Sequence, residues 1–108
     1  MPYISERRHN ERLRMVRPAK LYDPRGRKYR PGCTHNVSSD GALVEIMGGE
    51  YLMPGDLIEL AIQWPHETPL AMRDRMVNAT VVRTGRTEDG VPLLGVRYSD
   101  SRPIPQAA

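Results

Sequence analysis

NVSSDGALVEI, residues 36–46, holds the two signals that decide the fold. Its first half is built from Asn, Ser, Asp and Gly, residues that favour turns through side-chain bonds to their own backbone or through a missing Cβ. Its second half alternates, with Ala42, Val44 and Ile46 falling on one face. A turn feeding a period-two apolar run predicts a half-buried antiparallel strand. The same pattern repeats downstream. LIELAIQW (57–64) puts Ile58, Leu60, Ile62 and Trp64 on one side, RMVNATVVRT (75–84) puts Val77, Ala79 and Val81 inward, and PLLGVRY (92–98) does so with Leu94, Val96 and Tyr98. GGE (48–50), PGD (54–56), PHETP (65–69) and GRTEDG (85–90) separate these runs. Upstream, MVRPAKLY (15–22) reads as a strand whose Pro18 suits an edge or a bulge. DPRG (23–26) is a turn, RKYR (27–30) a return strand, and 31–41 a turn-rich stretch with a short strand at 33–37. Six or so short strands with turns about every ten residues predict an all-β antiparallel sheet, closed into a small barrel or a sandwich.

Length and composition agree with one such domain. The chain has 108 residues, 39% hydrophobic and 27% charged, with no Phe, so aliphatic side chains must fill the core. The net charge of +3 is unevenly spread: residues 1–30 carry ten Lys/Arg against three Asp/Glu, while the remainder is net acidic. A basic first third implies an anionic partner. Cys33 is the single cysteine, which excludes an intrachain disulfide and suits a reducing compartment. The charged N-terminus does not resemble a signal peptide, and no run approaches ~18 apolar residues, so a cytoplasmic protein without membrane insertion is expected.

Two polar clusters carry the chemistry. RRHNERLR (7–14) has four arginines in eight positions, Arg8 and Arg12 forming R-x-x-x-R with Arg7 ahead of them. It lacks an apolar face at helical spacing, which predicts a mobile arm. Asn36, Ser38 and Gly41 form N-x-S-x-x-G. In this order the two motifs resemble the PilZ domain, the bacterial receptor module for cyclic di-GMP. PGD before LIELAI, the alternating VNATVVR and the closing GVRY (95–98) are similar to that family's later strands, so the likeness spans about residues 6–98. It implies a small six-stranded antiparallel β-barrel of the split-barrel type with a basic N-terminal arm. The expected organisation is an arm at 1–14, a barrel at 15–98 and a disordered tail at 99–108.

The resemblance also implies the site: Arg7, Arg8 and Arg12 on the phosphates and a guanine edge, with Asn36, Ser38 and Gly41 at the other end. Arginine suits this ligand because its planar fork pairs with phosphate oxygens, matches guanine O6 and N7, and stacks on a purine. Asn36 offers one acceptor oxygen where an aspartate would offer two. A non-enzymatic receptor follows, with cyclic di-GMP as ligand, no cofactor, and a protein partner to which the signal is relayed. Motility, exopolysaccharide and biofilm control are the outputs the resemblance implies.

Other chemistries find little support. Cys33-x-His35 is one pair without a second at zinc-like spacing, and His9 and His66 lie apart, so no metal site is expected. No nucleophile elbow, Gly-rich phosphate loop or zinc-protease helix motif occurs. Two rivals stand beside the receptor reading. One is a PilZ-like interaction module that binds no nucleotide. The other is a small β-barrel for RNA or single-stranded DNA, which would call for more aromatics among the basic residues. Arg97 should face outward beside inward Val96, either on the binding face or as a plain surface arginine.

Overall fold

The computed structural model describes residues 13–65 and 76–100. Seven strands occur among them: β1 (Leu13–Arg14), β2 (Pro18–Asp23), β3 (Lys28–Val37), β4 (Gly41–Ile46), β5 (Leu57–Ile62), β6 (Val77–Arg86) and β7 (Pro92–Tyr98). They run in the order β1-β3-β2-β5-β6-β7-β4, and β4 pairs back onto β3. All pairings are antiparallel. Strands β2 to β7 therefore close a six-stranded barrel, which is the expected fold, and β1 adds a short seventh strand to the same edge of β3 that β2 occupies.

Alternation places the core as expected. Ala42, Val44 and Ile46, then Ile58, Leu60 and Ile62, then Ala79 and Val81, then Leu94 and Val96 all point inward and are buried. Trp64 and Tyr98 pack partly against them. Burying such aliphatic side chains stabilises a small barrel by about 1.5–3 kcal/mol each before conformational entropy is set against it.

Two expectations about local structure change. Residues 27–30 and 33–37 are not separate pieces: Lys28–Val37 is one continuous strand through Pro31 and Gly32. Pro31, which has no N–H to give, still joins the ladder as an acceptor: its carbonyl accepts from Met47 N at 3.0 Å. Gly32 is required, since a Cβ would sit 2.0 Å from the Glu45 carbonyl oxygen on β4. The loop read as 85–90 is shorter. β6 runs to Arg86, and the turn is closed by Thr87 N donating to Val91 O (2.9 Å) and Gly90 N to Thr87 O (2.9 Å), with Gly90 at φ 84°. That is a three-residue hairpin with glycine in the left-handed position.

Between β1 and β2 the strand is interrupted at residues 15–17, and the fully buried Thr34 spans the gap. Its backbone N donates to Arg17 O (2.9 Å), its Oγ1 accepts from Arg17 N (2.8 Å) and donates to Met15 O. Met15 N donates to His35 O at 3.2 Å. One threonine thus supplies partners to the backbone of an irregular, partly exposed segment and satisfies its own buried hydroxyl in doing so.

Candidate functional site

The site begins with two bulges. On β3 the register passes from Thr34↔Val44 to Asn36↔Leu43, leaving His35 as the extra residue. On β6 it passes from Val81↔Val96 to Arg83↔Gly95, leaving Val82 as the extra residue. A bulge resets which residue faces its partner across the ladder. Leu43 also pairs with Gly95. Asn36, Leu43, Gly95 and Arg83 therefore form one row across four strands on the outside of the barrel. Without the bulges, His35 and Val82 would hold its two ends.

This row is the floor of a cleft of about 300 Å³. Its rim adds Ser38, Asp40 and Gly41 from the β3–β4 turn, with Val82 and Arg97 opposite. Gly95 opens the middle: a Cβ there would meet Arg83 Cγ at 2.8 Å and Nε at 2.9 Å, so the Arg83 side chain lies across the bare backbone. Arg97, paired with Gly41 and with Thr80, stands beside it. Neither guanidinium makes an ion pair among the described residues. The cleft is thus cationic on its β6–β7 side and carries amide, hydroxyl and carboxylate groups, the last from Asp40, on its β3–β4 side.

Asn36, Ser38 and Gly41 come together here, but their work differs. Asn36 is half-buried at the end of the row and lines the cleft. Ser38 holds the turn: its Oγ accepts from Asp40 N (3.2 Å) and Gly41 N (3.3 Å), while Ser38 N donates to Gly41 O at 2.9 Å. Gly41 permits close approach to β7, since a Cβ would stand 2.0 Å from Val96 O. Arg7, Arg8 and Arg12 lie outside the described residues. The next residues in the chain do not: Leu13 pairs with Val37 and Arg14 with Asn36. The polypeptide carrying the arginines joins the barrel beside the Asn36–Ser38 corner.

Alternation from Val96 puts Arg97 outward, so its orientation was legible, while its place on the rim comes from the structure. Arg83 was not, because strict alternation from inward Val81 turns it toward the core and only the bulge reverses that. His35 Nε2 lies 2.8 Å from Glu45 Oε1 just outside the cleft. Cys33 pairs across from Glu45, and burial first, then that carboxylate, pushes its thiol pKa up, which works against a reactive thiolate. No cluster of three or more His, Cys, Asp or Glu suited to a metal occurs among the described residues. No helix among them is long and apolar enough to cross a membrane.

Residues 6–107 match the family model described as PilZ domain. No curated protein sequence matches the chain. Among solved structures, the chain is similar to the Bacillus subtilis inhibitor of motility, MotI/DgrA, with a TM-score of 0.67 and 18% identity. The alignment covers 87% of this chain and 43% of that one, so the chain spans less than half the length of that protein. At this identity the likeness bears on the fold.

Proposed function

The chain belongs to the PilZ domain family, and from that membership we propose that it is a non-enzymatic receptor for cyclic di-GMP that relays the messenger to a protein partner in a bacterial cytoplasm. The observation that carries the reading is the cleft itself. It gathers Asn36 and Ser38 at one end and Arg83 and Arg97 at the other, and Leu13 and Arg14, which directly follow Arg12 in sequence, pair with Val37 and Asn36 at the same corner. Two phosphates and two guanines need cationic forks, acceptors for guanine N–H and a flat floor, and the row Asn36–Leu43–Gly95–Arg83 supports all three. Arg8 and Arg12 take the phosphates and a guanine edge, with Arg7 as a third contributor. Gly41 serves by letting β4 enter close to β7. Charge-assisted hydrogen bonds are worth about 1.5–3 kcal/mol each, and micromolar affinity needs about −8 kcal/mol. Several such contacts together with arginine stacking on guanine reach that range. Motility is one output consistent with the name of the similar MotI/DgrA, alongside exopolysaccharide and biofilm control.

The test is calorimetric titration with cyclic di-GMP against GTP and a linear dinucleotide, on the wild type and on Arg8→Ala, Arg12→Ala and Arg83→Ala. Each variant is expected to weaken cyclic di-GMP by about tenfold or more, equal to 1.4 kcal/mol, while the melting temperature of the empty protein holds. Absence of binding by the wild type would leave a PilZ-fold interaction module. Unfolding of the arginine variants without ligand would make those residues structural. A gel-shift with mixed oligonucleotides separates the nucleic-acid alternative.

A further inference from the structure

The polar end of the cleft has little with which to tell one purine from another. Asn36 carries one acceptor oxygen and two donor hydrogens. An asparagine that accepts from a guanine N–H can equally pair with adenine N6 and N7. Ser38 both donates and accepts, and its Oγ already takes the N–H groups of Asp40 and Gly41. Discrimination calls for a group that only accepts or only donates.

Asp40 is such a group. An ionised carboxylate accepts and does not donate, and Asp40 lines the same cleft as Asn36 and Ser38. The fold fixes where it stands. Its N–H donates to Ser38 Oγ at 3.2 Å and its carbonyl accepts from Tyr98 N at 2.7 Å. The next residue, Gly41, pairs with Arg97 on β7. The main chain of Asp40 is therefore tied to its own turn and to the neighbouring strand. The residue is exposed, so a ligand can reach it.

An acid on the rim of an anion-binding cleft repels phosphate. The arrangement favours a ligand that carries hydrogen-bond donors beside its phosphates. Guanine has them: N1–H and N2–H lie on its Watson–Crick edge, and the acceptors O6 and N7 on its Hoogsteen edge match arginine forks such as those of Arg83 and Arg97. Reading the cleft as a cyclic di-GMP site, we propose that Asp40 is a specificity residue outside the N-x-S-x-x-G positions. Its two oxygens accept from N1–H and N2–H of one guanine, as carboxylates do in other bidentate pairs. Adenine in the same place sets the N1 lone pair against the carboxylate and loses both bonds. Hypoxanthine keeps N1–H but lacks the exocyclic amine, and loses one. Because Asp40 is exposed, water can replace a lost bond in part, so the discrimination is smaller than at a buried site.

The experiment is calorimetry on the full chain with cyclic di-GMP, its hypoxanthine counterpart cyclic di-IMP, and cyclic di-AMP. The wild type is expected to bind cyclic di-GMP about tenfold or more tighter than cyclic di-IMP, and about a hundredfold or more tighter than cyclic di-AMP. Asp40→Ala keeps both backbone bonds and is expected to shrink the guanine-to-hypoxanthine ratio by about fivefold or more. Asp40→Asn retains one acceptor oxygen and is expected to shrink it less, and it carries the test should the alanine variant fail to fold. A merely structural Asp40 would weaken all three ligands alike and leave the ratios standing. Binding of cyclic di-GMP with ratios unchanged in the folded variants overturns the role of Asp40 alone. So does a wild type that binds cyclic di-IMP as tightly as cyclic di-GMP. A wild type that binds none of the three overturns the receptor reading and this role together.

Discussion

Single residues carry work that composition conceals. Asp23 reads as the first residue of a turn, and the turn is there, but its carboxylate is buried and accepts from Tyr51 Oη at 2.5 Å and from Arg25 N at 3.0 Å. Tyr51 comes from the β4–β5 connection, a partner that only the closed barrel brings near. The Tyr51 hydroxyl above all, then the backbone N–H groups of Arg25 and Gly26, hold the Asp23 pKa below the ordinary aspartate range against the opposing effect of burial. Tyr51→Phe is expected to cost about 1 kcal/mol at neutral pH, at the low end for a charged acceptor because the ring is partly exposed. A lowered carboxylate pKa stabilises above the ordinary aspartate range and ceases to do so as pH falls through the folded value. The gap in melting temperature between wild type and Tyr51→Phe should accordingly close in acid. In the same turn, Arg27 rather than Gly26 holds the positive φ, 55°. A left-handed non-glycine residue costs about 1–2 kcal/mol, partly offset by the entropy glycine would lose, so Arg27→Gly should raise the urea midpoint by an amount worth under about 1 kcal/mol. In the cleft, Asn36→Asp adds a second acceptor oxygen and a charge. It is expected to tighten cyclic di-GMP several-fold, about 1 kcal/mol, by calorimetry.

Elements were legible wherever period two ran undisturbed. GALVEI, LIELAI and the run from Val77 to Val81 are strands with the inward faces that alternation assigns. Reading failed where a tertiary neighbour replaced a local rule. Pro31 and Gly32 look like a break until β4 is alongside to use the Pro31 carbonyl and fill the space a Cβ would take. Bulges are harder still, because one inserted residue leaves no compositional mark and yet decides that Arg83 reaches the cleft. The two wall glycines separate fold from site. Gly41→Ala drives a Cβ into the Val96 carbonyl, a backbone atom that cannot step aside, and should cost about 2 kcal/mol or more of stability by denaturant unfolding. Gly95→Ala meets first the flexible Arg83 side chain. It should leave the melting temperature nearly unchanged and weaken the nucleotide by displacing that arginine. Thr34→Val keeps the shape but leaves Arg17 N without its acceptor, at about 1–3 kcal/mol. Because Thr34 anchors the segment that leads to the arm, the same variant should also lower nucleotide affinity.

At the scale of the molecule, the sequence announces a closed antiparallel sheet, and the closure explains how one corner gathers its parts. Residues 36–41 join the end of β3 to the start of β4, and β4 lies between β3 and β7, so the N-x-S-x-x-G turn sits beside strands roughly half a chain away. Spacing along the chain cannot supply that neighbourhood, which is why Asn36 and Ser38 were readable as a motif while Arg83 beside them was not. The barrel also meets its own beginning and end there: Leu13 pairs with Val37, and Tyr98 N donates to Asp40 O at 2.7 Å. From β1 across β3 and β4 to β7 is three strand spacings, about 14 Å. A short glycine-serine bridge could rejoin Leu13 to Ser99, with new termini cut between Glu88 and Asp89. Such a circular permutant would retain every strand pairing, and fluorophores placed instead at Arg14 and Ser99, where the described barrel begins and ends, would flank the cleft, turning its occupancy into a distance.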